Sequence, residues 1–271
     1  MNNVATGSYA QVNGINLYYE VSGAGQPLIR LHGGFGSTGM FGGVVPELAA
    51  NHQVIGVDLQ AHGRTADLDR PMTFAAMADD VAALIQHLGF EQVDLMGYSL
   101  GGLVAQNVIL RHPDLIRKLV LVSCPCRKSG WNRENLEGMA QISAAAAESM
   151  KQTPMYQNYR QIAPRVEDWP RLVGKLGDLM RSDYDWSDQI PSIKSPVLLI
   201  AGDADAVLPR HMVEFFELLG GGQHDGGWDG SGLISSRLAI IPAMTHYVIF
   251  DSPLLAPLLI PFLDAPMPAS K

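Results

Sequence analysis

Short apolar runs alternate with longer amphipathic segments through residues 1–123. Tyr9 to Ser22 alternates about Asn13-Gly14, which predicts a hairpin. Pro27 to Leu31 reads as a strand, followed by a helix near Met40 to Ala50 and a strand at Val54 to Asp58. Phe74, Met77, Val81, Leu84, Ile85 and Leu88 recur at helical spacing, and Gly89 offers a C-cap. Val93 to Met96 is a strand and Gly102 to about His112 a helix. Leu119 to Val122 is almost wholly apolar, as a parallel strand buried on both faces would be. The alternation then stops. From Cys124 to Ile190 the pattern is helical only, with an Ala-rich run at Met139 to Met150 and a second helix at Trp169 to Met180. Strands resume at Val197 to Ala201 and Leu238 to Ile241, with helices near Arg210 to Leu219 and Leu254 to Phe262. This predicts one α/β core, residues 1–123 and 191–271, with a helical lid at 124–190.

The 271 residues carry 47% hydrophobic and 17% charged side chains, enough for a sizeable core. A formal charge of -8 without a Lys or Arg cluster excludes a nucleic-acid surface. Met1 to Gly14 lacks the pattern of an export signal, and no apolar run is long enough to span a membrane. Cys124 and Cys126 flank Pro125, too close to bridge each other, and read as free thiols. They favour a reducing, cytoplasmic setting.

The chemistry concentrates at predicted strand ends. Gly97-Tyr98-Ser99-Leu100-Gly101 joins a strand to a helix with serine at the apex. Read alone, it is as much a helix-capping turn as a nucleophile. A serine nucleophile needs a base, an orienting acid and oxyanion donors. His246 follows the last strand and is the candidate base. Asp203 and Asp205 both follow the strand at Val197 to Ala201, and spacing does not choose between them. Main-chain N–H groups of Leu100 and of Phe35, in the loop His32-Gly33-Gly34-Phe35-Gly36, are the candidate oxyanion donors.

Together these four motifs resemble the α/β-hydrolase superfamily over nearly the whole chain, and Ser, Asp, His is that family's order. The resemblance implies a mostly parallel eight-stranded sheet, a helical cap after the sixth strand, Asp205 as the acid, and no metal or organic cofactor. Serine at the elbow sets the chain apart from haloalkane dehalogenases and soluble epoxide hydrolases, which carry aspartate there. The implied activity is hydrolysis of small to medium carboxylic esters. Lactonase, carbon–carbon bond hydrolase and small-molecule receptor are the alternatives. Two positions depart from the family pattern. Ala61 replaces a usual glycine in Asp58-Leu59-Gln60-Ala61-His62-Gly63, and Arg30 occupies a normally apolar strand position, reaching the sheet edge or pairing with a buried carboxylate.

For the substrate pocket the candidates are Trp131, Met139, Trp169 and Met180, with Met150 and Met155 beside them. The Gly-rich stretch 220–230 reads as a surface turn, with His224, Asp225 and Asp229 a weaker hard-metal alternative and Trp228 within reach of the site rim.

Overall fold

The computed structural model describes residues 5–268. Residues 1–4, part of the stretch read above for an export signal, lie outside the described residues. The hairpin forms from β1 (Thr6–Val12) and β2 (Ile15–Ser22), turning at Asn13 (φ 47°) and Gly14 (φ 79°). Both left-handed positions suit the right-handed twist of the strands they join. Then come β3 (Gln26–Leu31), α1 (Val45–Leu48), β4 (His52–Val57), α2 (Phe74–His87), β5 (Val93–Tyr98), α3 (Leu100–Arg111) and β6 (Ile116–Val122). A helical insert carries α4 (Arg133–Gln141), α5 (Pro154–Ile162) and α6 (Trp169–Arg181). The chain returns through β7 (Val197–Ala204), α7 (Pro209–Leu218), β8 (Arg237–Thr245) and α8 (Leu255–Leu263).

The eight strands lie in the order β1-β2-β4-β3-β5-β6-β7-β8. The pairs β1·β2 and β2·β4 are antiparallel and the rest parallel. Every residue of β5 is buried. Its side chains alternate, Leu95 packing into the layer with α2, α3 and α7, and Met96 into the layer with α1 and α8. Parallel crossovers put the C-terminal ends of β3, β5, β6, β7 and β8 on one edge, where open sheets of this kind bind ligands.

Two local expectations fail for physical reasons. The helix near Met40 to Ala50 shrinks to the single turn of α1, because Phe41 takes a left-handed φ of 66° and Pro46 restarts the chain. The Ala-rich run is not one helix. It breaks after Gln141 into short 3-10 turns at Ala144–Ala146 and Ser149–Gln152. Two carbonyls that a continuous helix would use are taken from outside: Ile142 O accepts from Arg181, and Ala147 O accepts the Trp169 indole N–H at 2.9 Å. Helix α5 lies in the stretch expected to be helical, though its bounds were not singled out.

Arg30 follows neither expected course. It is buried, and its guanidinium donates to the carbonyls of Met40 and Thr38 beneath the loop after β3, 5.5 Å over the Phe41 ring. Burial lowers its pKa to about 10. Gly56 makes room, since a β-carbon there would meet the guanidinium at 2.7 Å. Ala61 sits at φ 65°, a conformation that explains why glycine is usual there and that costs alanine about 1 kcal/mol.

Candidate active site

Ser99 leaves β5 in a strained conformation, φ 51° and ψ -117°, before α3 begins. The turn needs small neighbours. A β-carbon at Gly97 would fall 2.2 Å from the Gly101 carbonyl oxygen, and one at Gly101 would fall 2.5 Å from that of Leu31. The elbow is pinned on both sides, by Ser99 N donating to Val122 O and Gly101 N donating to His32 O, each at 3.0 Å.

Ser99 Oγ lies 3.1 Å from His246 Nε2, and His246 Nδ1 lies 2.9 Å from Asp205 Oδ1. With the carboxylate accepting from Nδ1–H, Nε2 is left as the acceptor for the serine proton. Tyr98 OH donates to the His246 carbonyl at 2.6 Å, and Trp131 stands edge-on to the imidazole at 5.6 Å. These contacts hold the ring over the serine.

Of the two carboxylates that spacing left open, the fold brings Asp205 to His246 and Asp203 to Met244 N. Asp205 has a fully buried carboxylate. Besides His246, its Oδ1 accepts from Val207 N at 3.1 Å, and its Oδ2 accepts from Gly202 N at 3.0 Å and from the Ser123 hydroxyl. Burial pushes this carboxyl upward, but the hydrogen bonds from His246, Gly202 and Ser123 outweigh it and hold the pKa below the usual range. Asp203 is exposed and accepts from Met244 N at 3.2 Å, tying the ends of β7 and β8. Ser123 escaped the sequence reading. Its one signal was a polar residue directly after the apolar β6, at the same sheet edge.

The N–H groups of Gly34, Phe35 and Leu100 have no acceptor among the described residues. The Gly33 to Gly36 loop is fixed by His32, whose Nδ1 donates to Gly33 O at 2.7 Å while Nε2 accepts from Leu59 N at 3.1 Å. Gly34 faces the insert, and a β-carbon there would meet Met180 at 3.3 Å. Phe35 has a left-handed φ of 59° and packs its ring on Trp169 at 5.5 Å.

A narrow cavity of about 30 Å³ opens on Ser99 and Leu100. Trp131, Met139 and Met180 line it; so do Phe74, Leu103 and Tyr184, which the sequence reading passed over. Trp169 does not. It is buried among Phe35, Tyr156 and Tyr159, with its N–H committed to Ala147, so it holds the insert together. Met155 faces solvent.

Trp228 is fully exposed and sits at the other end of the sheet. Its loop precedes β8 while His246 follows it, and a nine-residue strand separates the two by about 30 Å. Asp225 and Asp229 in that loop accept from Gly227 N and Ser231 N, each at 3.0 Å, as turn-stabilising side chains do. Both cysteines are buried free thiols, and burial raises Cys126 to about 11, far from a reactive thiolate.

A family model described as alpha/beta hydrolase fold matches residues 26–148. The chain is 31% identical over 206 residues to a pimeloyl-[acyl-carrier protein] methyl ester esterase of Neisseria meningitidis, covering 68% of this chain and 77% of that one. It is 27% identical to the serine hydrolase BPHL of Mus musculus, covering 89% and 80%. Among solved structures, an enol-lactonase of Burkholderia xenovorans superposes with a TM-score of 0.70 at 20% identity, covering 95% of this chain and all of the other. An esterase of Thermogutta terrifontis superposes with a TM-score of 0.72 at 23% identity, covering 97% and 98%. Those two structures speak to the fold. With the sheet order and the sequence relatives, they lead to one statement: the chain belongs to the α/β-hydrolase superfamily.

Proposed function

We propose that the protein is a serine hydrolase that cleaves small carboxylic esters through an acyl-enzyme. The observation that carries this reading is the continuous path from Ser99 Oγ through His246 to Asp205, at 3.1 Å and 2.9 Å. Ser99 attacks the acyl carbon as His246 Nε2 takes its proton, and Asp205 stabilises the imidazolium. The oxyanion receives the N–H of Leu100 and that of the Gly34–Phe35 segment, with Phe35 the expected donor. The carbon–oxygen bond of the ester breaks as His246 returns the proton to the leaving alkoxide. Water then gives its proton to His246 and attacks the acyl carbon; the acyl–Oγ bond breaks as His246 returns that proton to Ser99, freeing the acid. The chain's own residues supply every group in this sequence, without a cofactor.

The helical insert, residues 124–190, acts in this reading as the lid that roofs Ser99. A cavity of about 30 Å³ has space for about two water-sized spheres, which favours a short acyl group. The ester reading gains support from the methyl ester esterase among the relatives. No helix among the described residues is long and apolar enough to cross a membrane, and two free buried thiols fit a cytoplasmic setting.

The test is Ser99→Ala against p-nitrophenyl acetate and butanoate, with organophosphonate labelling read by mass spectrometry. Turnover should vanish while the thermal midpoint stays within a few degrees, and the label should sit on Ser99. Retention of more than a few per cent of turnover, or a label elsewhere, rejects the assignment.

A further inference from the structure

Tyr184 follows α6 and shares the cavity wall with Ser99, Leu100 and Trp131. Its ring is fixed by stacking on Trp186 at 4.8 Å and by an edge contact with Phe74 at 5.5 Å. Its hydroxyl oxygen accepts the Trp131 Nε1–H at 2.6 Å. An indole only donates, so this contact occupies an oxygen lone pair and leaves the phenolic proton uncommitted. That proton has no acceptor among the described residues. Burial drives the Tyr184 phenol far above its usual pKa, so the group is a neutral donor at any working pH. The other polar side chain on this wall, Lys128, is already engaged, its ammonium donating to the carbonyls of Arg181 at 2.7 Å and Ser182 at 3.1 Å.

The Tyr184 hydroxyl is part-buried on the cavity wall, and a ligand oxygen in the cavity would pair the proton that the Trp131 contact leaves uncommitted. The part of an ester that enters an enclosed cavity beside Ser99 is the acyl group. The alcohol must escape to solvent before water reacts, whereas the acyl group stays bonded to the serine. We infer that the Tyr184 hydroxyl is a specificity-determining contact that donates a hydrogen bond to an ether or carbonyl oxygen carried a few atoms along a short acyl chain. This rests on the ester-hydrolase reading above and narrows its substrate class from plain aliphatic esters to oxygen-bearing short acyl esters.

The test uses an isosteric pair, p-nitrophenyl butanoate and p-nitrophenyl methoxyacetate, in which an ether oxygen replaces one chain methylene. The ether ester is intrinsically more reactive. The quantity read is therefore the methoxyacetate-to-butanoate ratio of kcat/KM in the wild type divided by the same ratio in Tyr184→Phe, where intrinsic reactivity cancels. This quotient should be about tenfold, because any effect of losing the Trp131 contact lowers both esters alike and cancels in it. A quotient near one, or an equal fall for both esters, overturns the inference; the latter would mark Tyr184 as a support for Trp131 alone. A second measurement needs no variant. The wild-type ratio, divided by the ratio of hydroxide-catalysed rates for the same esters, should exceed one by a similar factor, and a value at or below one overturns the inference. Absence of turnover of both esters by the wild type rejects the ester reading itself and this inference with it. An active enzyme with no ether preference rejects the inference alone.

Discussion

Replacing Asp205 by Asn separates charge from shape at the most crowded carboxylate in the site. All four groups around this carboxylate donate: His246 Nδ1 and Val207 N to Oδ1, and Gly202 N and the Ser123 hydroxyl to Oδ2. An asparagine amide offers one acceptor oxygen and one NH₂. Serine can rotate its proton away and histidine can change tautomer, but a backbone N–H can do neither. In each orientation of the amide, NH₂ therefore faces one buried backbone donor, Gly202 or Val207. The unmet donor costs about 2 kcal/mol, which corresponds to a fall in thermal midpoint of about 4–8 °C for a chain this long. If NH₂ faces His246, the imidazole is forced to carry its proton on Nε2 and cannot accept from Ser99, a defect of about 10⁴ in kcat. In the other orientation the tautomer survives and the imidazolium loses its counter-charge. The expected fall in kcat for Asp205→Asn is thus at least about 10³-fold, with KM little altered. Asp203→Asn provides the control, because that side chain is exposed and, among the described residues, its hydrogen bond is from Met244 N. Steady-state hydrolysis of p-nitrophenyl acetate and differential scanning calorimetry supply the readouts. Activity of Asp205→Asn within tenfold of the wild type, or a larger loss in Asp203→Asn, would refute the reasoning.

Ala61→Gly should raise stability by about 1 kcal/mol in urea denaturation, because glycine relieves the left-handed strain at φ 65°; an unchanged or lower midpoint would contradict that assignment. Two buried groups on the same loop titrate with opposite sign. Burial lowers His62 from 6.5 to about 4, so its contribution is fully present above pH 6.5 and is lost as pH falls through 4. Burial raises Asp58 from 3.8 to about 6 against the hydrogen bonds from Arg64 N and Thr38 N, so its penalty is present above pH 6 and disappears as pH falls to 3.8. The two nearly offset each other in the wild type. In His62→Asn, stability should decline between pH 7 and pH 4 by up to about 3 kcal/mol less than in the wild type, measured by urea midpoints. Parallel pH profiles would show that His62 does not carry this linkage.

The strands were legible because apolar runs such as Leu119 to Val122 have few other uses. The residues at their ends were legible because chemistry gathers on one sheet edge. Other features lay beyond sequence pattern. Trp169 and Tyr184 are both aromatic residues of the helical insert, and periodicity could not tell which would pack and which would face the cavity. The Ala144 to Ala147 turns defeat a strong helix propensity only because Trp169 and Arg181, more than twenty residues away, take the carbonyls. Ser123 becomes meaningful once β6 and β7 lie side by side, which brings its hydroxyl to Asp205. Trp228 was misplaced by nearness in sequence, although the direction of β8 already put it on the opposite rim.

The insert is held to the core unevenly. Asp67, in the loop that follows β4, accepts from Lys175 at 2.7 Å and Arg171 at 2.5 Å, both on α6, while Arg165 donates to its carbonyl at 3.1 Å. Leu172, Val173 and Leu176 of the same helix are buried beneath. Helix α4, on the far flank, buries no residue; its N-cap Asn132 donates to Ala206 O at 2.7 Å, and beyond that cap it reaches the core side by the exposed bond of Asn135 to Tyr247 at 3.0 Å. One flank is thus bound along the length of its helix and the other mainly at one end. Were the insert to open over Ser99, the smaller cost would fall on displacing α4 with α6 left in place.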